Sequence, residues 1–186
     1  MAKAKGTTLS GMVRFLRRHR EQAKKVLAPD LHGYLEERIH ESRWYPEEHF
    51  LALVDAMVSL MPGPREKNLE ALGVTAAREH LEGIYAHLSG DGRSAAPSTT
   101  RAFALWSSQH DTGRFEVKRI GPGEVEMIIR DFAHPSAQMC AIFTGYCAEL
   151  IRFEGARNVV AAKRACVRSG APHCLWRVTY EADGRD

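Results

Sequence analysis

The C-terminal part of the chain carries the pattern that most constrains its fold. In "GRFEVKRIGPGEVEMIIRDF", Phe115 and Val117 precede the turn Gly121-Pro122-Gly123, and Val125, Met127 and Ile129 follow it. Both arms alternate with period two, which predicts a hairpin. "HPSAQMCAIFTGYCAELIRFEGA" reads as a helix entered at Pro135. "RNVVAAKRACVRSG" and "CLWRVTYEA" predict a second hairpin, with Cys174, Trp176, Val178 and Tyr180 on one face and Arg177 and Thr179 on the other. Hairpin, helix, hairpin after a run of helices predicts an α+β fold: an N-terminal helical region, then a four-stranded antiparallel sheet packed with helices.

The first half has the helical period instead. In "LSGMVRFLRRHREQAKKVLAPD", Met12, Val13, Leu16, Ala23, Val26 and Leu27 fall near one face, and Pro29 stops the run. Arg14, Arg17, Arg18, Lys24 and Lys25 occupy the rest. Asp30 can cap a following helix. Pro46, Glu47 and Glu48 suit the first turn of another, whose stripe is Phe50, Leu53, Val54, Met57 and Met61, ended by Pro62-Gly63-Pro64. A further helix is expected over roughly Thr75–Leu88, with Leu81, Ile84, Tyr85 and Leu88 at helical spacing. "SGDGRSAAPSTT" is small, polar and turn-forming, as in a linker or mobile loop.

Charge separates the N-terminus from the body. Residues 1–28 hold eight Lys or Arg against one Glu; of the chain's 26 basic and 23 acidic residues, eighteen and twenty-two remain for the rest. A mildly acidic body argues against a nucleic-acid groove. The basic helix either docks an acidic partner or membrane surface, or is a surface helix with its charges in water. No apolar run reaches the ~20 residues of a transmembrane helix. No secretory leader is recognisable at the start, and four cysteines are too few for a disulfide scaffold, so the expectation is a cytoplasmic protein with reduced thiols.

Motifs for enzyme chemistry are missing: no Walker loop, G-x-G-x-x-G, G-x-S-x-G, H-E-x-x-H or Cys-x-x-Cys occurs. The candidate chemistry lies in Cys140 and Cys147, seven apart on one helix face, and in Cys166 and Cys174, eight apart across a turn. Thiolates select zinc, which takes four donors, whereas free cysteines commonly pack as small hydrophobes. His173 and His134 are further donor candidates. His80 and His87, seven apart on the expected helix, face one side and can meet one ligand.

These residues carry a resemblance. "MCAIFTGYCAELI" and "RACVRSGAPHCLWRVTY" resemble the close of the 4-vinyl-reductase domain, in the superfamily that includes the haem nitric-oxide-binding sensors. "GMVRFLRRH", "YPEEHFLALVDAMVSLM" and "NLEALG" are similar to the helical half of the haem nitric-oxide-binding fold. The chain thus divides into residues 1–28 as a basic amphipathic helix, 29–90 as a helical subdomain, 91–100 as a linker or mobile loop and 101–186 as an α+β domain, which the resemblance makes 4-vinyl-reductase-like. It also implies a zinc site formed by a helix Cys, a Glu and the two Cys flanking the turn. Cys140, Cys166 and Cys174 match; the Glu position is Lys163, whose ammonium has no lone pair to give. The site is then lost, or rebuilt with His173 or Cys147. Haem-binding members use a proximal His and a Tyr-x-Ser-x-Arg clamp. The stretch matched to that clamp is "WSSQH", with Trp106, Ser108 and His110, and the missing Arg argues against haem.

The resemblance further implies a non-enzymatic sensory or regulatory domain with an apolar cavity for a small hydrophobic ligand. Phe103, Trp106, Phe115, Met127, Phe143 and Trp176 are the candidate lining, or else they fill a solid core. The alternative is an interaction scaffold that docks a protein partner through its basic N-terminal helix. Homodimerisation is implied by the resemblance alone.

Overall fold

A computed structural model describes residues 1–83 and 99–181. The predicted α+β architecture is present. A short strand β1 (Lys3–Lys5) leads into helices α1 (Gly6–Arg18) and α2 (Arg20–Val26), a 3-10 turn (Pro29–Leu35), strand β2 (Trp44–Pro46), and helices α3 (Glu47–Leu60) and α4 (Arg65–Glu82). Helix α5 (Thr99–Ser107), strands β3 (Arg114–Gly121) and β4 (Glu124–Arg130), helix α6 (Ala137–Phe153), and strands β5 (Arg157–Ala165) and β6 (Cys174–Glu181) complete it.

Each expected hairpin forms, and the two join through β4 and β6 into an antiparallel sheet of order β3-β4-β6-β5. Register sets Val125 opposite Val178, Met127 opposite Trp176 and Ile129 opposite Cys174. One face therefore buries an unbroken apolar row. Gly123 makes the first turn possible: its φ is 64°, and a Cβ there would lie 2.3 Å from the carbonyl oxygen of Tyr180.

Helix α6 covers that row. Ser136 caps it, its Oγ accepting from the Met139 N–H at 3.1 Å. Met139, Phe143, Tyr146, Leu150 and Ile151 are buried along it. Its outer face meets α4 at glycines. A Cβ on Gly73 would sit 1.8 Å from the Ile142 carbonyl oxygen, and one on Gly145 would sit 2.0 Å from that of Glu70. The two backbones therefore touch, a separation that only glycine permits.

The N-terminal segment differs from expectation. The single helix over 1–28 is instead a strand and two helices, broken at His19 (φ −114°, ψ 36°). The break rotates α2 off the α1 stripe, so Val26 is 47% exposed although Ala23 and Leu27 are buried. Leu9, Met12, Val13 and Leu16 belong to the common core, so α1 is a structural member and no detachable arm. Arg17 donates to the carbonyl oxygens of Tyr34 and Glu37, and Arg14, Arg18 and Lys25 are exposed. The helix expected from Thr75 to Leu88 begins earlier, at Arg65. Ile84, Tyr85, His87, Leu88 and most of the expected linker lie outside the described residues. Among the described residues, no helix is long and apolar enough to cross a membrane.

Candidate functional site

A cavity of about 220 Å³ lies between the N-terminal helices and the C-terminal half. Its walls come from α1, α3, α4, α5 and α6, with Phe115 from β3. Met12, Phe15, Val54, Leu72 and Ile142 are among its apolar lining, while Arg18 and Glu79 supply charge. Of the six sequence-predicted lining residues, Trp106, Phe115 and Phe143 line it. Phe103 does not: α5 turns Ala102, Leu105 and Trp106 inward and leaves Phe103 44% exposed. Met127 and Trp176 pack within the sheet core, and Trp176 borders a second cavity.

Two buried imidazoles line the first cavity. His110 directs Nδ1 at Glu47 Oε2, 3.1 Å away, and stacks on Trp106 with centroids 4.4 Å apart. With a carboxylate as partner, Nδ1 is the nitrogen that carries a proton in this contact. Glu47 is fully buried, and its Oε1 has no hydrogen-bond partner among the described residues. Strand β1 fixes this corner: Ala4 bridges His110, and the Lys5 N–H donates to the Gln109 carbonyl at 2.8 Å. His80, on α4, lies 3.3 Å from the Tyr146 hydroxyl through Nδ1. Burial, reinforced by the nearby His110, pushes its pKa down to about 4, so it is neutral at pH 7.

From the sequence, Glu47 was placed in the first turn of a helix, where it suits the dipole. The overlooked signal is that Glu47 shares the helical face of Phe50 and Val54, three and seven residues on, and so points inward with them.

The cysteine group lies behind this cavity. Cys166 Sγ is 3.8 Å from both Cys140 Sγ and Cys174 Sγ, and the three sulfurs lie within 4.8 Å of one another. Lys163 donates to Cys140 Sγ at 3.1 Å while its Nζ sits 3.3 Å from the Trp176 ring centroid. His173 turns elsewhere, its Nδ1 2.9 Å from Arg130 Nη1, and Cys147 is buried in the core. Zinc takes four donors. These side chains offer three, with an ammonium group among them, so a tetrahedral zinc here would need a fourth donor from outside the cluster. Burial pushes Cys140 up to about 11 although Lys163 pulls the other way, and burial raises Cys147 further. Burial also opposes the Cys166 thiolate, but the Arg168 N–H, the two neighbouring thiols and Lys163 outweigh it and leave its pKa lowered.

No family sequence model matches the chain, and no curated protein matches it in sequence. Solved structures do. An H-NOX protein from S. oneidensis in the Fe(II) ligation state is 12% identical, with a TM-score of 0.64, covering 96% of this chain and 97% of that one. An oxygen-binding H-NOX domain related to soluble guanylate cyclases is 11% identical, with a TM-score of 0.66, covering 96% and 95%. A structure from a study of heme distortion in the H-NOX family is 11% identical, with a TM-score of 0.64 and the same coverage. The chain has the haem nitric-oxide-binding fold.

That finding corrects the expectation against haem. Solved structures of this fold include an H-NOX protein in its Fe(II) ligation state and one from a study of heme distortion in the H-NOX family. Of the residues matched to the clamp, Trp106 and His110 stack on each other in the cavity wall.

Proposed function

We propose that this chain is a non-enzymatic sensory domain that seats a hydrophobic ligand in the cavity between α1, α3, α4 and α6. The observation that carries the reading is the buried pair His110–Glu47, whose imidazole lines a largely apolar cavity. Metal-bound histidines characteristically pass their second nitrogen to a carboxylate or carbonyl, which fixes the tautomer and strengthens the donor nitrogen. Haem is therefore the first ligand to test. Bound there, it would supply an iron centre for a diatomic gas. His110 would offer Nε2, Glu47 would hold the Nδ1 proton, and His80, neutral at pH 7, is a second donor within the same walls. Met12, Phe15 and Leu72 would exclude water from the ligand. The volume is below the ~300–1,000 Å³ usual for small-molecule sites, so binding entails widening. Flexible Met12 and Met57 are the lining side chains best able to yield.

The test is titration of the purified protein with hemin, followed by absorbance. A saturable one-to-one Soret band supports haem as the ligand, and a shift of that band in His110→Ala assigns the donor. Absence of saturable binding removes haem as the ligand, and an unshifted band removes His110 as its donor.

A further inference from the structure

The first cavity meets solvent along a slot between α1 and α4. Gly11, Phe15 and Arg18 line it from α1, and Leu72, Ala76 and Glu79 line it from α4. Each set steps by four and then three residues, so each lies on one helical face. None of the six is buried. α1 packs on α3 and α4 packs on α6, which leaves the two faces looking at each other across the opening.

Arg18 stands at this mouth with its guanidinium unused. Its neighbours are engaged: Arg17 donates to the Tyr34 and Glu37 carbonyl oxygens, and Arg20 pairs with Glu36. Among the described residues, no carboxylate or carbonyl engages Arg18. The second charge of the slot, Glu79, sits beside Gly11, where a Cβ would lie 3.9 Å from its Oε2. Gly11 precedes Arg18 by two helical turns, about 10 Å along α1, so the two charges mark different ends of the slot.

From this mouth we propose that the cavity takes a small apolar carboxylic acid, its body inside and its carboxylate on Arg18. The inference rests on the reading of this cavity as a ligand site and names the class of its occupant. A guanidinium grips a carboxylate with two parallel hydrogen bonds. Arg18 is exposed, so the carboxylate keeps part of its water and no charge is buried unpaired. Arg18 and Glu79 together leave the slot without net charge, which suits a monoanion better than a phosphate dianion. Size points the same way. An apolar cavity of about 150 Å³ holds benzene, so in proportion one of about 220 Å³ holds roughly nine non-hydrogen atoms. A short aliphatic chain, or one ring with an arm, enters without the widening that haem requires.

The test uses octanoate as the acidic probe and 1-octanol as the neutral one. Each is titrated calorimetrically into the full-length protein at pH 7. Octanoate should bind one-to-one and about tenfold tighter than 1-octanol. Arg18→Gln should weaken octanoate about tenfold and leave 1-octanol unchanged. Arg14→Gln removes the same charge one turn away, outside the cavity lining, and should change neither. Ala76→Phe should abolish both. Equal affinity for acid and alcohol, or an Arg18→Gln effect no larger than that of Arg14→Gln, would overturn the carboxylate class while the cavity still binds a ligand. Octanoate binding that survives Ala76→Phe would overturn the location. Binding of neither probe would overturn the proposal, and hemin titration of the same sample then shows separately whether the ligand site itself stands.

Discussion

Acidifying the solution from pH 7 to pH 5 should cost this protein about 2 kcal/mol through one side chain, His80. Its pKa falls from 6.5 to about 4 on folding, because burial between α4 and Tyr146 penalises the imidazolium and His110 adds to the penalty. A base with a depressed folded pKa binds its proton in the unfolded chain first. Stability is therefore intact above about 6.5 and is lost as pH falls from there towards 4. At pH 5 the unfolded site is about 1.5 units below its pKa while the folded site is still neutral. At ~1.4 kcal/mol per unit this amounts to roughly 2 kcal/mol. Urea denaturation at pH 7 and pH 5 on wild type and His80→Gln measures it. Other groups contribute the same background to both proteins, so the wild type should lose about 2 kcal/mol more than the variant. Equal losses would refute the reasoning, as would an NMR titration placing His80 near 6.5. The result also bears on the proposed function, since a neutral His80 at pH 7 keeps the lone pair that a haem iron would need.

Other substitutions probe the scaffold around the site. Gly145→Ala forces a Cβ to within 2.0 Å of the Glu70 carbonyl oxygen, so α4 and α6 must part; thermal denaturation should show a loss of about 1–3 kcal/mol. Ser136→Ala removes the cap on α6 and should cost ~1 kcal/mol in the same assay. Thr144→Val strips the Trp176 indole N–H of its acceptor, 2.9 Å away, and should cost about 1–3 kcal/mol with little change in volume.

The C-terminal half was legible because local pattern and tertiary role coincide there. The row Cys174, Trp176, Val178 and Tyr180 alternates in sequence and is buried in fact, since a strand covered on one face must repeat every second residue. Cys140, Cys166 and Cys174 were also grouped from sequence, through the resemblance, and the structure brings their sulfurs together. The N-terminal half was less legible. Strand β1 is three residues, Lys-Ala-Lys, and is held by distant segments, Trp44–Pro46 on one side and the Gln109–Asp111 stretch on the other. The break at His19 has no proline or glycine to announce it. Phe103 was assigned inward by residue type, but a helix places residues by angle, and its neighbours Ala102 and Trp106 took the inner face. Glu47 carries the opposite lesson. The sequence offered it only the helix dipole, and its buried partner is the distant His110.

The central claim is that the cavity at His80 and His110 holds a small hydrophobic ligand. Native mass spectrometry of the protein as isolated from cells tests it most directly. The account predicts a one-to-one non-covalent complex, lost in Ala76→Phe, which fills the cavity from α4. The bare chain alone, before and after incubation with hemin, would contradict it.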